Sequence, residues 1–200
     1  MKKILFVEAS PMEKSASRAI AQVVEEQLKT YAADAEIVHR DLDASPVPHL
    51  NFETIGAQRA GGEAAKLSDE LVDEVLAADL IVIATPMWNF GVPSVLKAWV
   101  DHVARAGKTF SYSEKGPVGL VTGKQAIVIV SSGGVYENGP MSAMDFVTPY
   151  LKGVLGFLGI RDVETVRVGA TAIPSLAAEA FEKARRQAIA AVGEKILTAK

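Results

Sequence analysis

The chain has 200 residues, of which 49% are hydrophobic and 22% charged, a length and composition typical of one globular domain with a buried core. The 21 basic and 24 acidic residues give a net charge of −3. Because no basic stripe is present, nucleic acid is not expected as a ligand. The chain has no cysteine, which excludes disulfides, thiolate nucleophiles and cysteine-ligated metal centres. We interpret residues 1–200 as a single domain.

The first residues resemble a signal peptide, but Glu8 ends the apolar run that starts at Ile4. This run is shorter than the roughly 7–15 residues of the apolar region of a secretory signal. No apolar stretch approaches the roughly 18 residues of a membrane span. We therefore expect a soluble cytoplasmic protein without a membrane partner.

Short β-branched runs alternate with longer segments of helical period, a pattern that predicts βαβ units around a parallel sheet. Five strands are predicted, over residues 3–8, 35–40, 80–84, 126–130 and 162–168. Five helices are expected, including those over residues 17–31, 68–77 behind a Ser68 cap, 94–105, and 175–197 with a capping box of Ser175 and Ala178. Residues 41–62 are the least patterned part of the chain.

Right-handed crossovers favour a doubly wound sheet, which binds ligands outside the carboxyl ends of its strands. The loops after the first, third and fourth strands, residues 10–17, 85–93 and 131–134, are therefore the predicted site.

The first of these loops carries three hydroxyls, Ser10, Ser15 and Ser17, around the start of a helix. Unpaired backbone N–H groups and the helix dipole favour an anion such as phosphate at that point. One serine alone could instead be the helix N-cap, but the cluster favours the phosphate. Arg18 could neutralise this anion or point into solvent.

The second loop places Met87, Trp88 and Phe90 on a backbone held between two prolines, a rigid strip suited to a flat ring. Backbone amides near Asn89 could donate to a ring nitrogen. For Trp88 or Phe90 alone, packing beneath a loop is the commoner explanation.

The third loop has adjacent glycines, Gly133 and Gly134. They allow close backbone approach, so that their N–H groups can meet a polar ring edge that becomes negative on reduction. Alone, such a pair is often just a turn.

Competing motifs are not supported. No Gly-x-Gly-x-x-Gly follows the first strand, and residues 119–125 have the wrong spacing and context for a phosphate loop. His39, His49 and His102 lack metal-ligand spacing. We interpret these histidines as surface or edge residues and predict no metal site.

Taken together, these segments resemble the flavodoxin-like FMN-dependent NADH azoreductases, which also act as two-electron quinone reductases. The similarity runs nearly end to end. Trp88 stands where many members carry tyrosine, and Tyr136 where some carry histidine. The segments that carry the resemblance are residues 10 and 15–17, 86–93 within the stretch through 101, 105–110 with 116–117, 131–134, and 148–151 with 156–160.

The resemblance implies a flavodoxin-like α/β fold, with a doubly wound five-stranded parallel sheet in the order 2-1-3-4-5 and helices on both faces. It also implies a homodimer with its active sites at the interface and one FMN per subunit. The apolar face of the helix over residues 94–105 could serve either that dimer or the core. The implied cofactor-binding residues are Ser10, Ser15, Ala16, Ser17, Pro86, Met87, Trp88, Asn89, Phe90, Ser131, Ser132, Gly133, Gly134 and Tyr136.

The resemblance further implies a ping-pong reaction in which NADH gives a hydride to the flavin and leaves, after which a quinone or azo compound takes its place, azo bonds being reductively cleaved to amines. No side-chain acid or base is required, and the Asn89 backbone is expected to donate to flavin N5. Phe110, Tyr112 and Phe157 are the candidates for an apolar substrate pocket, to which they could reach across from the partner subunit, although each could equally belong to the core.

Two alternatives remain. A flavodoxin-type electron carrier would bind FMN without NADH-dependent turnover, although such carriers are usually strongly acidic and monomeric. The extra segment over residues 106–123, in which residues 109–113 alternate like a strand, favours the enzyme. A flavin-free structural protein with this fold would leave the three loops unexplained.

Overall fold

The computed structural model describes residues 1–198, which form a five-stranded parallel sheet and a separate two-stranded hairpin. The strands are β1 (Lys3–Glu8), β2 (Glu36–Asp41), β3 (Leu80–Pro86), β4 (Phe110–Ser113), β5 (Gly116–Gly119), β6 (Gln125–Ser131) and β7 (Asp162–Val168). In the sheet, the strand order is β2-β1-β3-β6-β7, which confirms the predicted 2-1-3-4-5 arrangement.

Within residues 1–198, six α-helices surround the sheet, one more than the sequence predicted. They are α1 (Ala16–Tyr31), α2 (Phe52–Ala60), α3 (Lys66–Ala77), α4 (Ser94–Val103), α5 (Val147–Leu158) and α6 (Pro174–Thr198), with 3-10 turns over Glu63–Ala65 and Ser142–Met144. Helix α2 lies in the segment without a clear pattern, because it buries only Thr54 and so has no apolar stripe. Helix α6 begins at Pro174, one residue before the predicted Ser175 cap.

The core consists of two layers, one on each face of the sheet. Alternate residues of β3 point to opposite faces, so that Ile81 joins the layer that contains Leu96, while Val82 joins the layer that contains Ile20. Strands β3 and β6 are buried at every residue, as central parallel strands covered on both faces should be.

Two polar residues are buried where the sequence predicted a cap and a surface histidine. Helix α3 starts at Lys66, so Ser68 lies inside it and is 0% exposed. The Ser68 hydroxyl lies 2.7 Å from Nδ1 of His102, and Nε2 of His102 lies 2.9 Å from the Pro48 carbonyl. Because a carbonyl only accepts, Nε2 carries the proton and Nδ1 accepts from Ser68. The surface prediction for His102 was wrong, since it is 1% exposed.

The β4–β5 hairpin packs against the carboxyl end of α5. The Val121 amide donates to the Leu158 carbonyl at 2.8 Å, and a Cβ atom at Gly119 would lie 2.3 Å from the Gly159 nitrogen. The strand predicted over residues 109–113 is present as β4, and its partner β5 was not predicted.

Across residues 1–198, no helix is both long and apolar enough to cross a membrane.

Candidate cofactor-binding site

The three predicted loops meet at one cavity of about 720 Å³ at the carboxyl ends of β1, β3 and β6. Its volume is in the range of small-molecule sites, roughly 300–1,000 Å³. The predicted cofactor residues that line it are Ser10, Ser15, Ala16, Pro86, Met87, Trp88, Ser131, Ser132 and Gly133.

The amino end of α1 supplies unpaired backbone donors at this cavity. Ser15 occupies the N-cap position, but its side chain caps nothing. Instead, its Oγ lies 2.9 Å from Oγ of the buried Ser17. The first helical hydrogen bond runs from the Ala19 amide to the Ser15 carbonyl, and in residues 1–198 the amides of Ala16, Ser17 and Arg18 have no acceptor. This arrangement fits a phosphate.

The side chain of Arg18 is engaged by acceptors of the protein itself and is not left free for solvent or for a bound anion. Its Nε and Nη2 donate to the Ser10 carbonyl at 3.0 and 2.6 Å, and Nη2 donates to Asp41 at 2.9 Å. This hydrogen bond to Asp41 raises the pKa of Arg18 and is the main reason that the pKa of Asp41 is lowered. Arg18 therefore fastens the first loop to β2. Lys14, which is exposed, is the other basic residue at the cavity.

The second loop is a two-residue turn of left-handed backbone. Trp88 and Gly91 exchange both N–H···O bonds at 3.0 Å, and the residues between them have positive φ, 48° at Asn89 and 69° at Phe90. These are the features of a type I′ turn. Asparagine tolerates this region, whereas for phenylalanine it is strained.

The turn contains two further backbone donors. Among the described residues, the amides of Asn89 and Phe90 have no acceptor. Two backbone hydrogen bonds connect the turn to neighbouring segments. The Met87 amide donates to the Ser131 carbonyl at 2.7 Å, and the Phe146 amide donates to the Phe90 carbonyl at 3.1 Å. Trp88 is 47% exposed. A flat ring with an acceptor nitrogen fits this surface.

In the third loop, the glycine carbonyls accept hydrogen bonds, whereas among the described residues the glycine amides donate none. The carbonyls of Gly133 and Gly134 accept from Ala172 and Ala170 at 3.1 and 2.9 Å. The amides of both glycines lack an acceptor within the part of the chain that the structure describes. The Tyr136 ring covers Gly134, where a Cβ atom would lie 3.2 Å from ring atom Cε2. These amides suit a ring edge that gains negative charge.

The remaining predicted cofactor residues lie in the same loops but do not line the cavity. Ser17 is 0% exposed, and Asn89, Phe90, Gly134 and Tyr136 are likewise not among the lining residues. Phe90 and Tyr136 contact each other edge to face, with ring centroids 6.3 Å apart.

Sequence reasoning missed four residues that line the cavity: Ala19 and Gln22 on α1, Thr171 after β7 and Phe181 on α6. Thr171 follows the fifth predicted strand, so the carboxyl-end rule could have found it. Nothing in the helical pattern distinguishes the exposed Gln22 or the partly buried Phe181 from other positions on their helices.

The predicted substrate-pocket residues form a cluster of their own. Phe110 lies 5.4 Å from Tyr112 and 4.5 Å from Phe157 between ring centroids. None of the three lines the 720 Å³ cavity. Phe157 instead lines a cavity of about 930 Å³ that includes Asp79 and Gln125, at the amino ends of β3 and β6. Their role as a substrate pocket stays a prediction.

The apolar face of α4 belongs mainly to the core. Leu96, Trp99, Val100 and Val103 are each at most 4% exposed within one chain, and only Val95 of this face is partly accessible. The sequence left open whether this face packs in the core or against a dimer partner, and the burial of these four residues within one chain shows that they pack in the core.

Comparison with known proteins agrees with the fold. A family model described as a flavodoxin-like fold matches residues 2–192. The FMN-dependent NADH:quinone oxidoreductase of Beijerinckia indica is 46% identical over 206 aligned positions, which cover 98% of this chain and all of that protein. The FMN-dependent NADH:quinone oxidoreductase 1 of Rhizobium etli is 49% identical, with 90% of this chain and 92% of that protein covered.

Solved structures are also similar. An azoreductase from Bacillus anthracis superposes with a TM-score of 0.90 at 28% identity, with coverage of 97% of this chain and 100% of that one. An FMN-dependent NADH-azoreductase from the same species, in complex with FMN, has a TM-score of 0.87 at 29% identity, with 97% and 99% covered. The chain therefore belongs to the family of flavodoxin-like fold proteins that includes the FMN-dependent NADH:quinone oxidoreductases.

Proposed function

We propose that this protein is an FMN-dependent oxidoreductase that transfers two electrons from NADH to quinones and azo compounds by a ping-pong mechanism. The observation that carries the proposal is the convergence on one cavity of three loops, each of which contains backbone amides without an acceptor among the described residues. The names of the relatives supply the cofactor and the donor.

Each loop is assigned a separate task. The amino end of α1, with Ser15 and Ser17, binds the phosphate. The turn at Trp88 and Asn89 supports the flavin ring, and the Asn89 amide donates to its N5. The amides of Gly133 and Gly134 donate to the pyrimidine edge.

When bound, FMN supplies the redox chemistry, accepting a hydride and passing two electrons on. The chain contributes orientation and fixed dipoles that need no reorganisation during the reaction. We assign no side chain as acid or base. Orientation by backbone groups suits this task, because rigid loops hold an amide more precisely than a long side chain would.

The acceptor site is proposed to form between two subunits of a homodimer. Phe110, Tyr112 and Phe157 would then face the cavity of the partner, since they do not reach the cavity of their own chain. Tyr112 is 75% exposed and Phe146 is 55% exposed, so apolar surface is free to be covered by a second copy. Sedimentation of the purified protein as twice the chain mass tests the dimer.

A cytoplasmic location is part of the same proposal, and cell fractionation tests it.

A visible spectrum tests the function. FMN is added to the purified protein, followed without oxygen by NADH and then by a benzoquinone. We expect NADH to bleach the flavin band and the quinone to restore it. Flavin that binds but does not react with NADH would support a flavodoxin-type electron carrier instead. Failure to bind FMN would overturn the assignment of all three loops.

A further inference from the structure

A partly buried ion pair lies directly behind the proposed flavin site. Nη2 of Arg167, on β7, lies 2.9 Å from Oδ2 of Asp145, which precedes α5, and the side chains are 27% and 6% exposed. Both residues line a cavity of about 10 Å³ together with Met87, Ser132 and Tyr136. Met87 and Ser132 also line the proposed flavin cavity, so the pair lies immediately behind it.

The pair links two of the three loops through hydrogen bonds. Nη1 of Arg167 donates to the Tyr136 carbonyl at 3.4 Å, which holds the glycine loop. Oδ1 of Asp145 accepts from the amides of Val147 and Thr148 at 3.0 and 2.9 Å. Asp145 thereby orients the start of α5 next to Phe146, whose amide donates to the carbonyl of Phe90 in the turn.

A carboxylate with this burial needs its partner, because a buried charge left without compensation is strongly unfavourable. The pair is also electrically balanced. Loss of either member leaves one net charge behind loops that face the flavin, where a charge acts through a medium of low polarity.

We infer that Arg167 and Asp145 are positioning residues for the flavin site. They fix the glycine loop relative to the Asn89–Phe90 turn and keep the region behind the ring neutral. This inference rests on the proposed function. It predicts that the two residues affect FMN affinity and the flavin reduction potential without touching the cofactor.

Four variants test the inference by FMN titration and by measurement of the flavin midpoint potential: Arg167→Met, Asp145→Asn, the double variant and Arg40→Met. The last is a matched control, because Arg40 also joins two elements by an ion pair, with Glu74 of α3, and its side chain is 15% exposed. We expect the dissociation constant for FMN to rise about tenfold in either single variant, the scale of one lost hydrogen bond to a buried partner.

The potential gives the more specific signature. In Arg167→Met, the unbalanced carboxylate opposes the negative charge that the ring gains, so the potential becomes more negative. In Asp145→Asn, it becomes less negative. In the double variant it returns towards the parent value, while the affinity stays low. Arg40→Met should reduce thermal stability and leave both quantities unchanged.

The inference is overturned if the Arg167 and Asp145 variants have the same FMN affinity and flavin potential as Arg40→Met.

If Arg167→Met does not fold, Arg167→Lys replaces it. Lysine keeps the charge and therefore the potential, but one ammonium cannot reach both Asp145 and the Tyr136 carbonyl, so we expect the FMN affinity to fall. An unchanged affinity in Arg167→Lys would also overturn the inference. If the parent protein binds no FMN, the proposed function itself has failed.

Discussion

Asn89 and Phe90 illustrate how single residues prepare the site. Both residues have positive φ, and neither of their amides has an acceptor among the described residues. A phenylalanine at φ 69° stores local strain, which proteins tend to retain where a function needs the geometry.

Two substitutions of Asn89 distinguish the role of its backbone amide from the role of its side chain. Proline removes the N–H group and requires φ near −65°, which is incompatible with φ 48° at this position. We expect Asn89→Pro to weaken FMN binding or slow flavin reduction by NADH in stopped-flow experiments. Asn89→Gly keeps both the amide and the backbone conformation and should behave like the parent. Unchanged reduction kinetics in Asn89→Pro would exclude the Asn89 amide as the N5 donor.

The strain at Phe90 can be measured with two variants that both lack the ring. Phe90→Ala retains a Cβ atom in the left-handed region, whereas Phe90→Gly does not. We expect the glycine variant to have the higher free energy of unfolding, by about 1 kcal/mol. Urea denaturation of the protein without flavin compares the two. Equal stability would mean that the turn relaxes without cost in the alanine variant.

At the scale of elements, the β4–β5 hairpin depends on close backbone approach to α5. Gly119→Ala would bring a Cβ atom to 2.3 Å from backbone nitrogen, so we expect a loss of about 1–3 kcal/mol in unfolding free energy. Gly153→Ala in α5 is the control, since a Cβ atom there meets nothing within 4 Å and alanine favours helix by about 1 kcal/mol. If the midpoint temperature of unfolding shifts in the same direction in both variants, the close packing at Gly119 is contradicted.

The buried histidine gives α3 and α4 a pH-dependent contact. Burial lowers the pKa of His102 below its ordinary value of 6.5, so the unfolded chain binds more protons than the native state just below pH 6.5. Stability from this residue is therefore complete above about pH 6.5 and falls as the pH decreases towards the folded-state pKa, at up to about 1.4 kcal/mol per pH unit.

Urea denaturation between pH 7.5 and 5.5 measures this effect. His102→Gln should show a smaller loss of stability on acidification than the parent, and His49→Gln, an exposed control, should follow the parent. An identical pH dependence in the parent and in His102→Gln would exclude His102 as the origin.

Some elements could be predicted from sequence and others could not, for identifiable reasons. The continuous apolar run at residues 80–84 predicts a central strand, because a strand buried on both faces has no polar alternation. Helix α2 has no such signal, since it is largely exposed. The burial of His102 depends on Ser68, 34 positions away, and no local pattern contains a contact of that range.

At the scale of the whole molecule, parallel topology explains why the sequence could predict which loops meet at one cavity. Loops that follow neighbouring parallel strands meet at one edge of the sheet, so three separated segments converge on one cavity. The aromatic cluster around Phe110 has no comparable rule, because its position depends on a hairpin outside the sheet.

The two core layers share the strands between them, and we therefore propose that residues 1–200 fold as one domain. Far-UV circular dichroism, which reports all helices, and fluorescence of Trp99, which is 2% exposed in one layer, should give the same unfolding midpoint. A Trp88→Phe background removes the exposed tryptophan signal. Midpoints that differ at one protein concentration would indicate two independently folding parts.

The complete burial of β3 and β6 has a kinetic consequence for the loops that follow them. Amide protons in such central strands exchange with solvent only when the whole molecule opens, whereas exposed turns exchange through local fluctuations. The turn at Asn89 and the glycine loop thus each extend from one of the slowest-exchanging segments of the protein. When a ligand binds at these loops, the residues at the base of each loop are already ordered. Only the residues at the loop tips then lose conformational entropy.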